Sequence, residues 1–407
     1  MKTVNIVKSS TGKSLKKPLH FEVPEPKSEL EDRLQQYVLQ SFICRAPYLA
    51  QFCLQNSSTM KVAKHLLLHT KVSRATLYNY IFNINNFTQW LKKSPDFLIS
   101  RCLDINEVTN LVFVAEITRL MDDYLASLRA ERKLAPATSY TMVRYVVLFF
   151  KLNRVQIEFP YLIKKWSLYP DRSPTQQELQ KILDISTLRE KVIICALTTG
   201  GFRLGTLVQL KYRHVKHDLE RGIVPIHIHV EGEITKTKYH DYDTFVNFET
   251  ANYLKIYLQK RKDGTYKEGN KTLAAQNITD ESPLISSLRK QALLTTDQIR
   301  YIIHSLYLRA GLIGENIGLL NNGIYCRRFD IRPHSTRKFF RSQLAFLGVD
   351  RDFIEYMVGH KVSGYFDVKA RGIEFLRSIY TKAGCTPKTD IWLLKNLRKL
   401  LEFNSYF

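Results

Sequence analysis

Residues 332–361, RPHSTRKFFRSQLAFLGVDRDFIEYMVGHK, read as two short helices that each run into a glycine, Gly348 and Gly359. The first helix opens on His334 and Arg337, spaced to share one face, and the second ends on the pair Gly359–His360. Alone, a basic pair on a helix is most often a solvated face, so this stretch takes its meaning from what surrounds it.

Upstream, LREKVIICALTTGGFRLGTLVQL (188–210) reads as helix, glycine turn and helix, with Arg203 just past the turn. GIVPIHIHV (222–230) and DTFVNF (243–248) alternate like paired strands, and the turn between them, EITKTK (233–238), carries Lys236 and Lys238, which would face the same side of an extended chain. ETANYLKIYLQKR returns to helix, residues 261–281 are polar and aperiodic and predict a surface loop, and TTDQIRYIIHSLYLRAG is helical again. Downstream, EFLRSIYTKAG (374–384) is an amphipathic helix bearing Tyr380.

The first part of the chain has a different texture. Apolar residues recur at helical spacing in LEDRLQQYVLQSFICRAPYLAQFCL, SRATLYNYIFNINNFTQWL, ITRLMDDYLASLRAE and PATSYTMVRYVVLFFKLNRV, with Ser73 and Thr138 as expected N-caps, which predicts an all-helical domain over residues 29–168. Residues 1–28, with Lys2, Lys8, Lys13, Lys16 and Lys17 among small polar residues, predict a mobile basic arm. The proline-bearing YPDRSPT (169–175) predicts a domain boundary, and Thr175 with Glu178 gives the capping-box signature of the next helix. A second domain is then expected over 176–384, followed by an amphipathic helix at 385–407. The fold class expected is mainly α with a small antiparallel β-sheet: a helical N-terminal domain followed by an α+β domain.

The 407 residues carry 61 Lys and Arg against 38 Asp and Glu, a formal charge of +23, so the surface field favours a polyanion. The basic residues are spread along the chain and not gathered beside an apolar helix, which favours nucleic acid over a membrane surface. No stretch reaches the ~20 apolar residues of a membrane span, and the N-terminus lacks the apolar run of a signal peptide. The expected location is therefore the cytoplasm, with the nucleoid. The six cysteines stand far apart without a C-x-x-C pair, which predicts neither disulfides nor zinc.

Arg203, Arg337, Lys236, His334, His360 and Tyr380 together suit one task. Guanidinium groups clamp the non-bridging oxygens of a phosphodiester and neutralise charge that builds in the transition state. A tyrosine hydroxyl can then attack phosphorus if a base such as His334 takes its proton, while Lys236 can protonate the departing oxygen. This chemistry needs no metal and no cofactor, and the sequence offers no carboxylate cluster to hold an ion. Gly200, Gly201 and Gly205 match neither phosphate-loop spacing, so no nucleotide is expected.

The ordered series TTGGFRLGTLVQL, EITKTK, RPHSTRKFF, MVGHK and a C-terminal tyrosine resembles the tyrosine recombinase or phage-type integrase superfamily, in a form similar to archaeal integrases. The resemblance covers about residues 176–384, and the helical region before it is similar to the family's core-binding domain. It implies a site-specific recombinase, serving a mobile genetic element or the resolution of replicon dimers: a C-shaped clamp on duplex DNA, a homo-tetramer on paired sites, and a 3′-phosphotyrosyl intermediate. Carried over, it makes Arg203 and Arg337 the phosphate clamp, Lys236 the general acid (Lys238 the alternative), His334 the base, His360 a second phosphate donor and Tyr380 the nucleophile (Tyr365 the alternative). The family's tyrosine position, counted from His360, falls on Lys369, so the chain departs from the pattern there. A type IB topoisomerase, which shares the chemistry without assembly on paired sites, and a DNA-binding protein that has lost catalysis are the alternatives.

Other features read as ordinary. His65 and His69 on one helix lack a third ligand, and His227, His229 and His240 belong to a solvated strand face before they suggest a metal. Tyr78, Tyr80, Phe82, Phe87 and Trp90 at helical spacing predict core. The C-terminal DIWLLKNLRKLLEFNSYF either folds back on its own domain or docks on a neighbouring protomer.

Overall fold

The structure is a computed structural model that describes residues 2–8, 14–23, 25–42, 46–69, 74–103, 108–159, 171–236, 240–288, 292–314, 329–362 and 367–383. The chain divides between Leu168 and Tyr169 into two compact units.

The first unit opens with an antiparallel hairpin, β1 (Lys2–Lys8) and β2 (Ser14–Val23), in a register that sets Val4 opposite Phe21 and Ile6 opposite Leu19. The lysine-rich composition predicts a mobile arm here, and the hairpin corrects that expectation. Val4 and Ile6, and Leu19, Phe21 and Val23, alternate with the period of a strand, a signal that lysine and proline obscure. Helices follow: α1 (Glu29–Phe42), α2 (Pro47–Gln55), α3 (Ser57–His69), α4 (Arg74–Leu91), α5 (Pro95–Cys102), α6 (Leu111–Ala130) and α7 (Pro136–Leu152).

Proline at the first helical position starts α2, α5 and α7, where its missing N–H costs nothing. Thr138 therefore lies inside the first turn of α7 and is not its cap, while Ser73 lies outside the described residues. Helix α3 is capped from a distance, since Asp96 of α5 accepts from the backbone N–H groups of Ser57 and Ser58 at 2.9 and 2.8 Å. The apolar stripes converge on a core of Val38, Phe42, Leu49, Val62, Ile81, Phe87, Met121, Val146 and Phe149, all fully buried. Phe87 packs edge-on against Tyr124 at 5.2 Å and Tyr80 against Tyr145 at 4.5 Å, so the aromatic residues of α4 serve packing, with Trp90 at the margin.

In the second unit Thr175 and Glu178 close the capping box, with Thr175 Oγ1 accepting from Glu178 N at 3.2 Å and Glu178 Oε2 accepting from Thr175 N at 2.7 Å. They start α8 (Gln176–Asp184), and a second box, Thr187 with Glu190, starts α9 (Leu188–Gly200). Every residue of α9 from Val192 to Gly200 is buried, which makes it the central helix of the unit. After α10 (Leu204–Leu207) and α11 (Arg213–Arg221), strands β3 (Ile226–Val230) and β4 (Tyr242–Val246) pair antiparallel, with Ile228 opposite Thr244 and Val230 opposite Tyr242. Then come α12 (Phe248–Lys262), a short hairpin of β5 (Lys267–Glu268) and β6 (Lys271–Thr272), α13 (Thr296–Arg309), α14 (Ser335–Phe346), α15 (Arg351–Met357) and α16 (Ile373–Ala383). The hairpin lies within the stretch expected as loop, pinned by Tyr266 and Leu273, both nearly fully buried. Helices α12, α13 and α14 and strand β4 all pack on α9. The result is mainly α with a small antiparallel sheet, as expected.

Among the described residues, no helix is long and apolar enough to cross a membrane. Tyr365, Lys238 and the amphipathic segment at 385–407 lie outside the described residues.

Candidate active site

Helix α9 stops at Gly201, which takes a left-handed φ of 63°. A Cβ there would sit 2.5 Å from the Phe340 ring, so glycine also lets α14 approach the turn closely. One helical turn before Phe340, Arg337 reaches into the space this creates. Its side chain is buried, Nη1 donates to the Gly201 carbonyl at 2.6 Å, and Nη2 donates to the Val358 carbonyl and faces His360 Nε2 at 3.2 Å. Arg203 precedes α10, beyond the same turn, and among the described residues its guanidinium has no hydrogen-bonding or carboxylate partner.

Burial first, and the like charge of Arg203 second, pull the Arg337 guanidinium down to about 10. Few structural arginines are left this way, because a buried guanidinium usually sits on a carboxylate. Here the partners are carbonyl oxygens and an imidazole, so the positive charge remains available to an anion.

His334 stands at the N-terminus of α14, with its ring open to solvent on one side. Desolvation by the surrounding protein, then the Arg337 charge, push its pKa below the usual histidine value, against the pull of Asp171. Asp171 itself pairs with Arg332 at 2.6 Å and Lys338 at 3.2 Å, holding the segment that leads into α14. A histidine kept neutral beside two guanidiniums can accept a proton at neutral pH.

His360 is placed by Gly359, which has φ of 67° and ends α15. A Cβ on Gly359 would lie 2.5 Å from the Tyr242 ring. Gly359→Ala should therefore both strain the turn and displace His360, lowering the thermal midpoint and cutting cleavage together; a variant that melts like wild type would contradict this packing. Tyr242, the first residue of β4, is itself buried, with Thr206 beside its hydroxyl. Burial raises its pKa while Arg337 and Arg203 lower it, which places the ring in the field of both arginines. Sequence pattern offers no sign of this tyrosine's position.

Lys236 lies exposed in the bend after a 3-10 turn (Gly232–Ile234) between β3 and β4. The described residues bring together Arg203, Arg337 and His360, with His334 one turn away from Arg337. Tyr380, the nucleophile expected from the resemblance, is closed off from solvent. It is 1% exposed, its hydroxyl donates to the Thr199 carbonyl at 2.8 Å, and its ring packs near Phe245 and Phe340. Thr199 belongs to the same turn as Gly201 and Arg203, so the hydroxyl is held against the back of the site. Lys369, the position to which the family pattern counts, is in a 3-10 turn (Lys369–Arg371).

The strand histidines are engaged: His227 Nε2 and His229 Nδ1 lie 2.8 and 2.9 Å from one oxygen of Asp243, whose other oxygen accepts from Tyr356 at 2.5 Å. Among the described residues no group of histidine, cysteine and carboxylate side chains is arranged to hold a metal ion.

Two guanidiniums and two imidazoles around a turn have the charge and the donors to hold a phosphoryl group. Residues 173–365 match the phage integrase family, a span that includes Arg203, Lys236, His334, Arg337 and His360. Residues 173–365 thus carry a phage integrase domain, and the enzyme is a site-specific recombinase of the tyrosine class. No curated protein matches the sequence. Among solved structures, the Tn1549 transposon integrase with transposon right end DNA is 15% identical, covering 84% of this chain and 98% of that one, with a TM-score of 0.51. The same integrase with circular intermediate DNA is 14% identical, over 80% and 95% of the two chains, with a TM-score of 0.50. XerH recombinase bound to a palindromic difH substrate is 14% identical, over 89% and 99%, with a TM-score of 0.48.

Proposed function

We propose that the chain cuts and rejoins duplex DNA at paired sites, with Arg203 and Arg337 clamping the scissile phosphate and Tyr380 attacking it. The Tyr380 oxygen forms a bond to phosphorus as the bond to the 5′ oxygen breaks, leaving a 3′-phosphotyrosine and a free 5′ hydroxyl. The tyrosine proton passes to His334, and Lys236 supplies a proton to the departing oxygen. His360 gives a further hydrogen bond to a non-bridging oxygen. Before attack, the Tyr380 hydroxyl must leave the Thr199 carbonyl, so the last turns of α16 have to shift when DNA is bound.

The observation that carries this reading is the buried Arg337 without a carboxylate, beside Arg203 and in contact with His360. The net charge of +23 favours DNA as the partner, and the neighbouring Tn1549 integrase was solved with DNA. Assembly as a homo-tetramer, carriage by a mobile element of archaeal type, action at the nucleoid in the cytoplasm and the domain limits 1–28, 29–168, 176–384 and 385–407 belong to the same proposal.

The test is the pH dependence of cleavage on a nicked duplex, its site first found by sequencing the DNA the protein protects. His334 is lowered from the ordinary 6.5, so its neutral form persists to lower pH and the acid limb of the cleavage rate should lie below pH 6.5. The limb should vanish in His334→Ala, leaving a slow, flat profile. A limb above pH 6.5, or one unchanged in His334→Ala, assigns the base elsewhere.

A further inference from the structure

The residue in contact with His360 on its far side is Glu355, and the backbone explains why. Helix α15 ends in a left-handed glycine motif: Gly359 N donates to the Tyr356 carbonyl at 2.7 Å, and His360 N donates back to the Glu355 carbonyl at 2.9 Å. In this motif the residue after the glycine and the residue five positions before it come side by side, and that contact is usually apolar. This chain places a carboxylate and an imidazole there instead. The helix end is itself fixed, because Tyr356, next to Glu355, donates to buried Asp243 on β4 at 2.5 Å.

The hydrogen bonds define the tautomer. A guanidinium only donates, so His360 Nε2, 3.2 Å from Arg337 Nη2, is the accepting nitrogen and the proton sits on Nδ1, where Glu355 Oε2 accepts it. The other oxygen of Glu355 takes Arg341. Glu355 is largely shielded from solvent, and although burial opposes it, bonds from His360 and Arg341 hold its carboxyl below the usual range. It is therefore ionised whenever His360 has to act.

We infer that Glu355 is a positioning residue that aims Nε2 of His360 at the scissile phosphate. In the structure Nε2 accepts from Arg337. When a phosphate oxygen takes over Arg337, the bare Nε2 would face that oxygen lone pair to lone pair unless it gains a proton from solvent. A carboxylate on Nδ1 holds the ring so that Nε2 stays turned toward that oxygen. The inference rests on the phosphate-binding role proposed for His360.

A double-mutant cycle on single-turnover cleavage of the nicked duplex separates this from a purely structural role. Glu355→Gln keeps an accepting oxygen without the charge and should slow cleavage roughly tenfold; Glu355→Ala should slow it nearer a hundredfold, by analogy with other groups that orient a functional histidine. DNA affinity should stay near that of wild type in both. In a His360→Ala background neither change should slow cleavage further. Multiplicative losses in the double variants, or equal losses from Gln and Ala accompanied by a lowered thermal midpoint, would show that Glu355 acts on the fold and not through His360. Wild-type protein that makes no covalent product on bound DNA would instead bring down the recombinase reading on which the inference stands.

Discussion

Arg337→Lys should lower single-turnover cleavage by about a hundredfold to a thousandfold while leaving DNA binding largely intact. Lysine keeps the charge but not the fork: it is unable to meet the Gly201 carbonyl, the Val358 carbonyl, His360 and a phosphate oxygen at once. Cleavage on the nicked duplex and anisotropy on the intact one measure the two effects separately. The same geometry carries a cost in stability. With a pKa drawn down to about 10, the folded chain holds the Arg337 charge less readily than the unfolded chain does. That penalty is present below about pH 10 and fades as pH rises through it; it is of the order of a few kcal/mol. Bound phosphate offsets it. Arg203→Gln, which removes the neighbouring like charge, should therefore raise the thermal midpoint by about 2–4 °C while cutting cleavage as deeply. A fall in the midpoint would mean that Arg203 is paired in the folded chain.

Tyr380→Phe should abolish the covalent protein–DNA product altogether and leave sequence-specific binding unchanged, since phenylalanine keeps the ring that packs near Phe245 and Phe340. The variant should also be less stable by about 1 kcal/mol, because the Thr199 carbonyl loses its donor in a buried setting. The two effects arise from one hydroxyl in two states: a structural donor in the chain described here and a nucleophile on DNA. Binding that weakens severalfold in Tyr380→Phe would show instead that the hydroxyl is part of the DNA contact surface.

How much of this could be read from the sequence depended on how local each feature is. Arg203 after a glycine turn, His334 and Arg337 on one helical face and His360 after Gly359 are set by neighbours in the chain, and pattern was enough to name them as candidates. The capping box of Thr175 and Glu178 and the β3–β4 pair were legible for the same reason. Glu355 was missed although Gly359 held the clue, since a left-handed glycine at a helix end brings the flanking side chains together. The burial of Tyr380 depends on Thr199, 181 residues earlier, and the field around Tyr242 on α9, α14 and α15 together; no spacing rule reaches those contacts. In the N-terminal hairpin the lysines outweighed a period-two pattern that was present in Val4, Ile6, Leu19 and Phe21.

The most direct test of the account is to trap the wild-type chain on a nicked duplex carrying its own site and to map the joined peptide. A DNA adduct on Tyr380, absent from Tyr380→Phe and present in Tyr365→Phe, is the predicted result. An adduct on Tyr365 would keep the chemistry and move the nucleophile to the other tyrosine; no adduct on DNA that the protein demonstrably binds would contradict the claim that this site cuts DNA.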